Sequence, residues 1–167
     1  MVRALFPGTF DPIHYGHMDI ANRASKLFDE VVMAVYDKPL KSLMFSPEER
    51  IGLVQEAFKD NPKIKVMGYS GLTVDFARQI DAQVITRGLR VFSDFEFEFR
   101  MGLANQRLAS DIETVAFITA EQHTFLSSST VKEIASLQGD VSSMVPPYVE
   151  KALKIKVNTG DGHSPPN

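Results

Sequence analysis

Residues 2–36, VRALFPGTFDPIHYGHMDIANRASKLFDEVVMAVY, decide the fold class. Val2–Phe6 and Val31–Tyr36 are short β-rich runs, and the second is nearly all apolar, as a strand buried on both faces requires. Between them Ile20, Ala24, Leu27 and Phe28 recur at helical spacing. Strand, helix and second buried strand make one βαβ unit, and the pattern continues. Further strands are expected at Ile64–Met67, Gln83–Thr86 and Thr114–Thr119, with a second helical stripe on Ile51, Val54, Ala57 and Phe58. Alternation of this kind predicts an α/β protein with helices covering a parallel sheet.

The 167 residues suffice for one hydrophobic core. The expected architecture is a single doubly wound, Rossmann-like domain over residues 1–157, with a five-stranded parallel sheet flanked by helices. From Asn158 the composition turns to Gly, Ser, Pro and Asn, so residues 158–167 are expected to be a disordered tail. Ser46, Pro47 and Glu49 spell an N-cap, a first-turn proline and a capping-box partner, and Ser93 with Glu96 repeats the capping pattern before a helix to about Leu108. Val131, Ile134 and Ala135 mark a helix closed near Gly139, and Pro146–Pro147 open another to Lys156.

Composition excludes several classes. Apolar residues make up 44% and charged residues 23%, the balance of a globular domain. Lys plus Arg number 18 against 21 Asp plus Glu, a net charge of −3 without a like-charge block, which argues against nucleic-acid and membrane-surface partners. The absence of Cys removes disulfides, thiolate metal sites and Cys nucleophiles. The longest strongly apolar run is Val31–Val35 and the N-terminus has no signal-peptide pattern, so a cytoplasmic location is expected.

In an open parallel sheet the ligand binds at the carboxyl ends of the strands, so the loops after the strands carry the chemistry. Those loops hold Pro7–His17 after the first strand, Lys38 and Lys41 after the second, Thr86–Arg90 after the fourth and Gln122–Ser129 after the fifth. Convergence would bring His14, His17, Lys41, Arg87 and Arg90 to one edge of an acidic protein, a site for a phosphorylated small molecule. Gly8 and Gly16 allow close approach of backbone to ligand, and His17 and Ser127–Ser129 fall near helix N-termini, where free N–H groups and the dipole favour anions. Other readings of the same residues are open: Ser127–Ser129 as a plain N-cap, Arg87 and Arg90 as surface ion-pair residues, and Phe95, Phe97 and Phe99 as one buried helix edge. No Walker-A sequence and no Gly-x-Gly-x-x-Gly occurs, which disfavours P-loop kinases and dinucleotide oxidoreductases.

His14-Tyr15-Gly16-His17 resembles the His-x-Gly-His signature of the nucleotidyltransferase superfamily, and Leu126–Lys132 (LSSSTVK) resembles its second, an Ile-Ser-Ser-Thr/Ser motif followed by a basic residue. Pro7–Pro12, Phe45–Arg50, Arg87–Arg90 and Ser93–Glu96 are similar to the bacterial phosphopantetheine adenylyltransferases, over about Val2 to Lys156. Leu126 replaces the usual Ile, Lys132 stands where the wider superfamily often has Arg, and His14 is often Thr in the family. The resemblance implies transfer of the adenylyl group of ATP to 4′-phosphopantetheine, giving dephospho-coenzyme A and pyrophosphate, with Mg²⁺ held mainly by phosphates rather than by a protein metal site. It also implies a cytoplasmic homohexamer, with coenzyme A as a feedback inhibitor.

Carried over by residue, the resemblance makes His17, Lys41 and Arg90 catalytic. ATP would meet Thr9, Phe10, His17, Gly88, Leu89, Arg90, Glu98 and the stretch His123, Thr124, Phe125, Leu126, Ser127, Ser128 and Ser129. Phosphopantetheine would meet Thr9, Lys41, Thr73 and Arg87. A phosphate acceptor is ionised at neutral pH and needs no strong general base, so the expected mechanism is direct in-line attack on the α-phosphorus, with His17 and Lys41 donating as charge develops and no covalent intermediate. The same motifs serve other acceptors, such as nicotinamide mononucleotide in adenylyltransferases, and also cytidylyltransferases; a non-catalytic nucleotide-binding regulator is the alternative from another class. A class I aminoacyl-tRNA synthetase shares the histidine motif, but the chain is too short for one.

Overall fold

The computed structural model describes residues 1–39 and 42–160. Strands β1 (Arg3–Gly8), β2 (Glu30–Tyr36), β3 (Ile64–Tyr69), β4 (Val84–Leu89) and β5 (Glu113–Ile118) form one sheet in the order β3-β2-β1-β4-β5. Every pairing is parallel. The helices are α1 (Tyr15–Leu27), α2 (Pro47–Phe58), α3 (Thr73–Gln79), α4 (Phe92–Leu108), α5 (Ser128–Ser136) and α6 (Pro147–Asn158), with a 3-10 turn at Glu121–His123. The expected doubly wound sheet is therefore present. Strands β1, β3 and β4 run past their expected ends to Gly8, Tyr69 and Leu89, because ladder pairs such as Gly8↔Val35, Val35↔Gly68 and Arg87↔Ala116 persist where the apolar run of the strand is interrupted. Residues 161–167, most of the expected tail, and Lys41 lie outside the described residues.

Strand alternation splits the core into two layers. Ala4 and Phe6 of β1 and Val31, Met33 and Val35 of β2 pack with Ile20 and Ala24 of α1, Val54 and Phe58 of α2, Val131 of α5 and Leu153 of α6. Leu5, Val32, Ala34 and Ile85 point the other way, onto Val74, Phe76 and Ala77 of α3. Period-2 alternation thus feeds both faces of the sheet, which fixes register on each strand. The chain builds β1, β2 and β3 in one direction, then returns past β1 to add β4 and β5. The crevice at that reversal, between the carboxyl ends of β1 and β4, is where such sheets bind ligands.

The capping box on α2 forms as expected: Ser46 Oγ accepts from Glu49 N–H at 3.2 Å and Glu49 Oε2 accepts from Ser46 N–H at 2.8 Å. The second does not. Helix α4 starts at Phe92 with Val91 as its N-cap and no side-chain cap, and it is Asp94 whose carboxylate accepts from Arg90 N–H. Nor do Phe95, Phe97 and Phe99 bury one edge of α4: they are 49%, 53% and 56% exposed, and α4 has no buried residue. The helix meets the sheet lightly, mainly through β4 and β5, and leaves its aromatic rows in solvent. No helix among the described residues is long and apolar enough to cross a membrane.

Candidate active site

A cleft of about 960 Å³ opens at the carboxyl ends of the strands. Its floor is the β1–α1 loop. Phe10 has a left-handed backbone (φ 50°) and tucks its ring, 2% exposed, over Gly8, where a Cβ would lie 2.8 Å from that ring. The phenyl ring meets His17 edge-on at 5.0 Å, so the side chain expected to touch ATP is instead the backing of His17. Phe10 can offer the cleft chiefly its backbone.

Helix α1 begins with an unusual cap. His14 Nδ1 accepts from His17 N–H at 3.3 Å, His17 Nδ1 accepts from His14 N–H at 3.2 Å, and the rings stack at 3.6 Å. This is a capping box made by two histidines, three residues apart as the motif demands. Gly16 has to be glycine here, since a Cβ would fall 2.9 Å from the His14 ring. Burial, then the nearby charges of Arg90 and His123, push the His14 pKa down to about 3, so His14 is neutral and not one of the expected cations. With each Nδ1 accepting, each ring carries its proton on Nε2, and His17 lines the cleft.

The two arginines expected at the site are there, each tied to a carboxylate. Arg87 donates twice to Glu98, at 2.7 and 2.8 Å, and once to Pro7 O. Glu98, expected at ATP, is therefore engaged by Arg87. Arg90 donates to Asp94 and, through Nη1, to Leu126 O. The surface ion-pair reading thus holds in part, but all four side chains line the cleft, where their N–H groups are set in fixed directions.

Across from α1 lies the N-terminus of α5. Ser127 Oγ accepts from Thr130 N–H, and Ser128 Oγ donates to Pro12 O at 2.8 Å, bringing the start of α5 against the β1–α1 loop. Two helix N-termini so converge on one polar end of the cleft, which also holds Gly88, His123 and Ser129. The opposite end, beyond β2 and β3, is aromatic and apolar: Tyr36 and Tyr69 lie 5.1 Å apart, Tyr69 OH and Thr73 Oγ1 share a hydrogen bond of 3.0 Å, and Leu72 and Val74 complete it.

Of the residues expected from sequence, Thr9, Phe10, His17, Thr73, Arg87, Gly88, Arg90, Glu98, His123 and Ser127–Ser129 line this one cleft. Leu89, Thr124, Phe125 and Leu126 do not: Leu126 is fully buried, Phe125 is 57% exposed, and Leu89 lines a smaller cavity of about 240 Å³ between α4 and β5. Sequence reasoning missed Tyr36, Tyr69, Asp94 and the α4 wall of Phe97, Met101 and Asn105. It also missed two buried organisers. Arg50, wholly buried, donates to the carbonyls of Thr9, Tyr36, Asp37 and Phe45; Asp11, 1% exposed, accepts from Met44 N–H, Phe45 N–H and Lys132 Nζ. Asp11 had a signal, a carboxylate in a turn between Phe10 and Pro12, whereas Arg50, directly after Glu48 and Glu49, had none.

A cytidylyltransferase-like family profile matches residues 5–134. A phosphopantetheine adenylyltransferase of Roseiflexus sp. (strain RS-1) is 54% identical over 154 residues, covering 92% of this chain and 96% of its own. The chain belongs to the phosphopantetheine adenylyltransferase family. Two further phosphopantetheine adenylyltransferases, from Moorella thermoacetica and Desulfitobacterium hafniense (strain DCB-2), are 51% and 49% identical over 90% and 92% of the chain, and 94% of each relative is covered. The phosphopantetheine adenylyltransferase fold extends further. A Plasmodium falciparum nicotinic acid mononucleotide adenylyltransferase, solved in complex with NaAD, superposes with a TM-score of 0.71 over 96% of this chain and 98% of its own at 16% identity, which shows a common fold.

Proposed function

We propose that the chain transfers the adenylyl group of ATP to 4′-phosphopantetheine, giving dephospho-coenzyme A and pyrophosphate. The two-ended cleft carries the reading: two helix N-termini and the arginines at one end suit a polyphosphate, while the Tyr36–Tyr69–Thr73 end suits an uncharged, partly apolar arm. The family membership points to the same acceptor, so nicotinamide mononucleotide is not favoured.

The acceptor phosphate needs no deprotonation. Its oxygen forms a bond to the α-phosphorus as the bond from that phosphorus to the bridging oxygen of pyrophosphate breaks, and no group on the protein is modified. His17 donates from Nε2 to the transferring group, its orientation fixed by the His14 N–H on one side and the Phe10 ring on the other. Arg90, anchored on Leu126 O, and the first-turn N–H groups of α5 hold the outgoing pyrophosphate. Lys41, in the segment between β2 and α2, supplies a further cation to the attacking phosphate. The donors facing the cleft are mostly N–H groups and cations, and among the described residues no cluster of three or more His, Asp or Glu is placed to hold a metal. That donor set suits Mg²⁺ carried by the triphosphate, whose charge it neutralises when bound. Coenzyme A, which combines the pantetheine arm with an adenosine, fits the same two ends as a feedback inhibitor. A cytoplasmic homohexamer completes the reading; the uncovered apolar rows of α4 support association as such.

Pyrophosphate release from ATP and Mg²⁺ tests the assignment, with 4′-phosphopantetheine, nicotinamide mononucleotide or no acceptor in parallel. Release with phosphopantetheine alone is expected. Release with nicotinamide mononucleotide instead changes the acceptor, and ATP binding without release under any condition makes the protein a nucleotide-binding regulator.

A further inference from the structure

Lys132 is the basic residue that closes the LSSSTVK motif, and the chemistry above leaves it without a task. At the end of a serine-rich helix start it invites assignment to phosphate. Its ammonium is engaged elsewhere: Nζ donates to Asp11 Oδ2 at 2.8 Å, beneath the cleft rather than among its lining residues. Asp11 is 1% exposed, and the same carboxylate accepts from Met44 N–H at 3.0 Å and from Phe45 N–H at 2.9 Å.

The carboxylate is buried and the Lys132 side chain 22% exposed, and an ion pair of this kind is a poor source of stability. Desolvation of the carboxylate offsets most of the Coulomb gain, and an apolar pair of similar shape would hold the core as well. What such a pair does supply is one defined geometry. Asp11 lies in the β1–α1 loop just before the His14–His17 cap, and Lys132 lies one turn into α5, just after Ser127–Ser129. The neighbouring Ser128 Oγ–Pro12 O bond joins the same two segments. The two links together set how far the N-terminus of α1 stands from that of α5.

Resting on the adenylyl-transfer reading, we infer that Asp11 and Lys132 are a positioning pair that fixes the spacing of these two helix N-termini, and that Lys132 is not a phosphate ligand. In-line transfer needs His17 on the transferring phosphoryl and α5 on the leaving pyrophosphate at the same instant, so the pair acts on turnover. Binding of ATP, which Arg90 and the cleft walls also hold, depends on it much less.

The test is a double-mutant cycle in the full chain with Asp11→Asn, Lys132→Met and both, following pyrophosphate release at saturating ATP and phosphopantetheine. Wild-type turnover is measured first: its absence would sink the adenylyl-transfer reading and the inference that rests on it, whereas a defect confined to the variants bears on the pair alone. Given an active wild type, Lys132→Met lowers kcat by about 10- to 100-fold, as a misplacement near the reacting group does, while the KM for ATP stays within about threefold. The double variant is no worse than the poorer single one by more than about threefold, since one link is lost either way. Lys132→Arg, which can still reach the carboxylate, recovers most of the loss. Effects that multiply in the double variant, or a rise in the KM for ATP that accounts for the whole defect, would return Lys132 to the phosphates. A Lys132→Met protein with lowered Tm but wild-type kcat would reduce the pair to a structural one and overturn the inference. Should Asp11→Asn fail to fold, Lys132→Met against Lys132→Arg still decides by kcat and KM.

Discussion

His14 and His17 show how a pair of like residues acquires unlike roles. Both rings cap α1 through Nδ1, but His14 is 4% exposed and His17 faces the cleft. Because His17 also serves the cap, His17→Ala would confuse two losses. His17→Asn keeps an acceptor near the Nδ1 position without a donor at Nε2, and we expect kcat to fall by about 10² to 10³, as for a lost transition-state donor, with little change in Tm. His17→Gln, whose amide reaches further, should recover part of that loss; equal activity of Asn, Gln and wild type would remove His17 from catalysis. The buried partner predicts a pH dependence. Its folded pKa, about 3, lies below the ordinary histidine value of 6.5 because the ring is buried, so the unfolded chain binds the proton more readily. The associated stability is intact above pH 6.5 and declines as pH falls from 6.5 toward 3, by about 2 kcal/mol at pH 5. His14→Thr retains a capping hydroxyl and lacks the titrating ring, so chemical denaturation of this variant should show a smaller loss between pH 7 and pH 5 than wild type. A parallel decline in both proteins would mean that other groups set the acid limit.

At the level of elements, what was legible in the sequence was what is locally encoded. The strands stand out because burial on both faces demands apolar runs, and α2 because Ser46, Pro47 and Glu49 spell its start within four residues. Helix α3 was not legible: its seven residues have no side-chain cap, and it is held by Val74, Phe76 and Ala77 packing on Leu5, Val32 and Ile85, contacts remote in sequence. The same limit applies to the site. The loops after the strands could be chosen from sheet logic alone, whereas the Arg87–Glu98 and Asp11–Lys132 pairs join residues that only the fold makes neighbours. Arg50 is the extreme case. Its position inside an amphipathic helix reads as a solvated charge, yet its guanidinium joins the end of β1, the end of β2 and the start of α2 through four carbonyl oxygens. Arg50→Leu leaves those acceptors without donors, and the expected cost is about 3 kcal/mol or more, read as a lower denaturation midpoint at unchanged slope. Arg50→Lys should recover little, because one ammonium cannot span carbonyls that a planar fork reaches together. Ser46→Ala, a lost cap on the same helix, should cost only about 1 kcal/mol. A reversed ranking of the two sites would show that the fork is not what joins these elements.

For the molecule as a whole, sheet order explains why four separated loops make one site, while α4 shows what a single chain leaves unfinished. Phe95 and Phe99 stack at 5.8 Å and stand half in solvent, Leu103 continues their row one turn on, and a cavity of about 240 Å³ lies between that row and edge strand β5, whose Ile118 is 77% exposed. An apolar surface of this continuity on a net acidic, otherwise ordinary exterior is one that association covers. The cavity shares Arg87 and Glu98 with the cleft, and the other side of α4 supplies the cleft wall at Phe97, Met101 and Asn105. Covering the row would therefore steady the wall against which substrates bind. Sedimentation equilibrium should find six chains of 18.6 kDa per particle. Phe95→Asp with Phe99→Asp places two charges in the row, and we expect smaller particles, a Tm no more than a few degrees lower, and KM values for both substrates raised about tenfold or more, in line with the loss of a buried apolar anchor pair. A wild-type monomer would remove the hexamer, and a double variant that still sediments as wild type would move the interface away from α4. If the double variant dissociates but keeps wild-type KM values, assembly has no part in forming the cleft, and the α4 wall is held within the chain by the Arg87–Glu98 and Arg90–Asp94 pairs and by packing on β4 and β5.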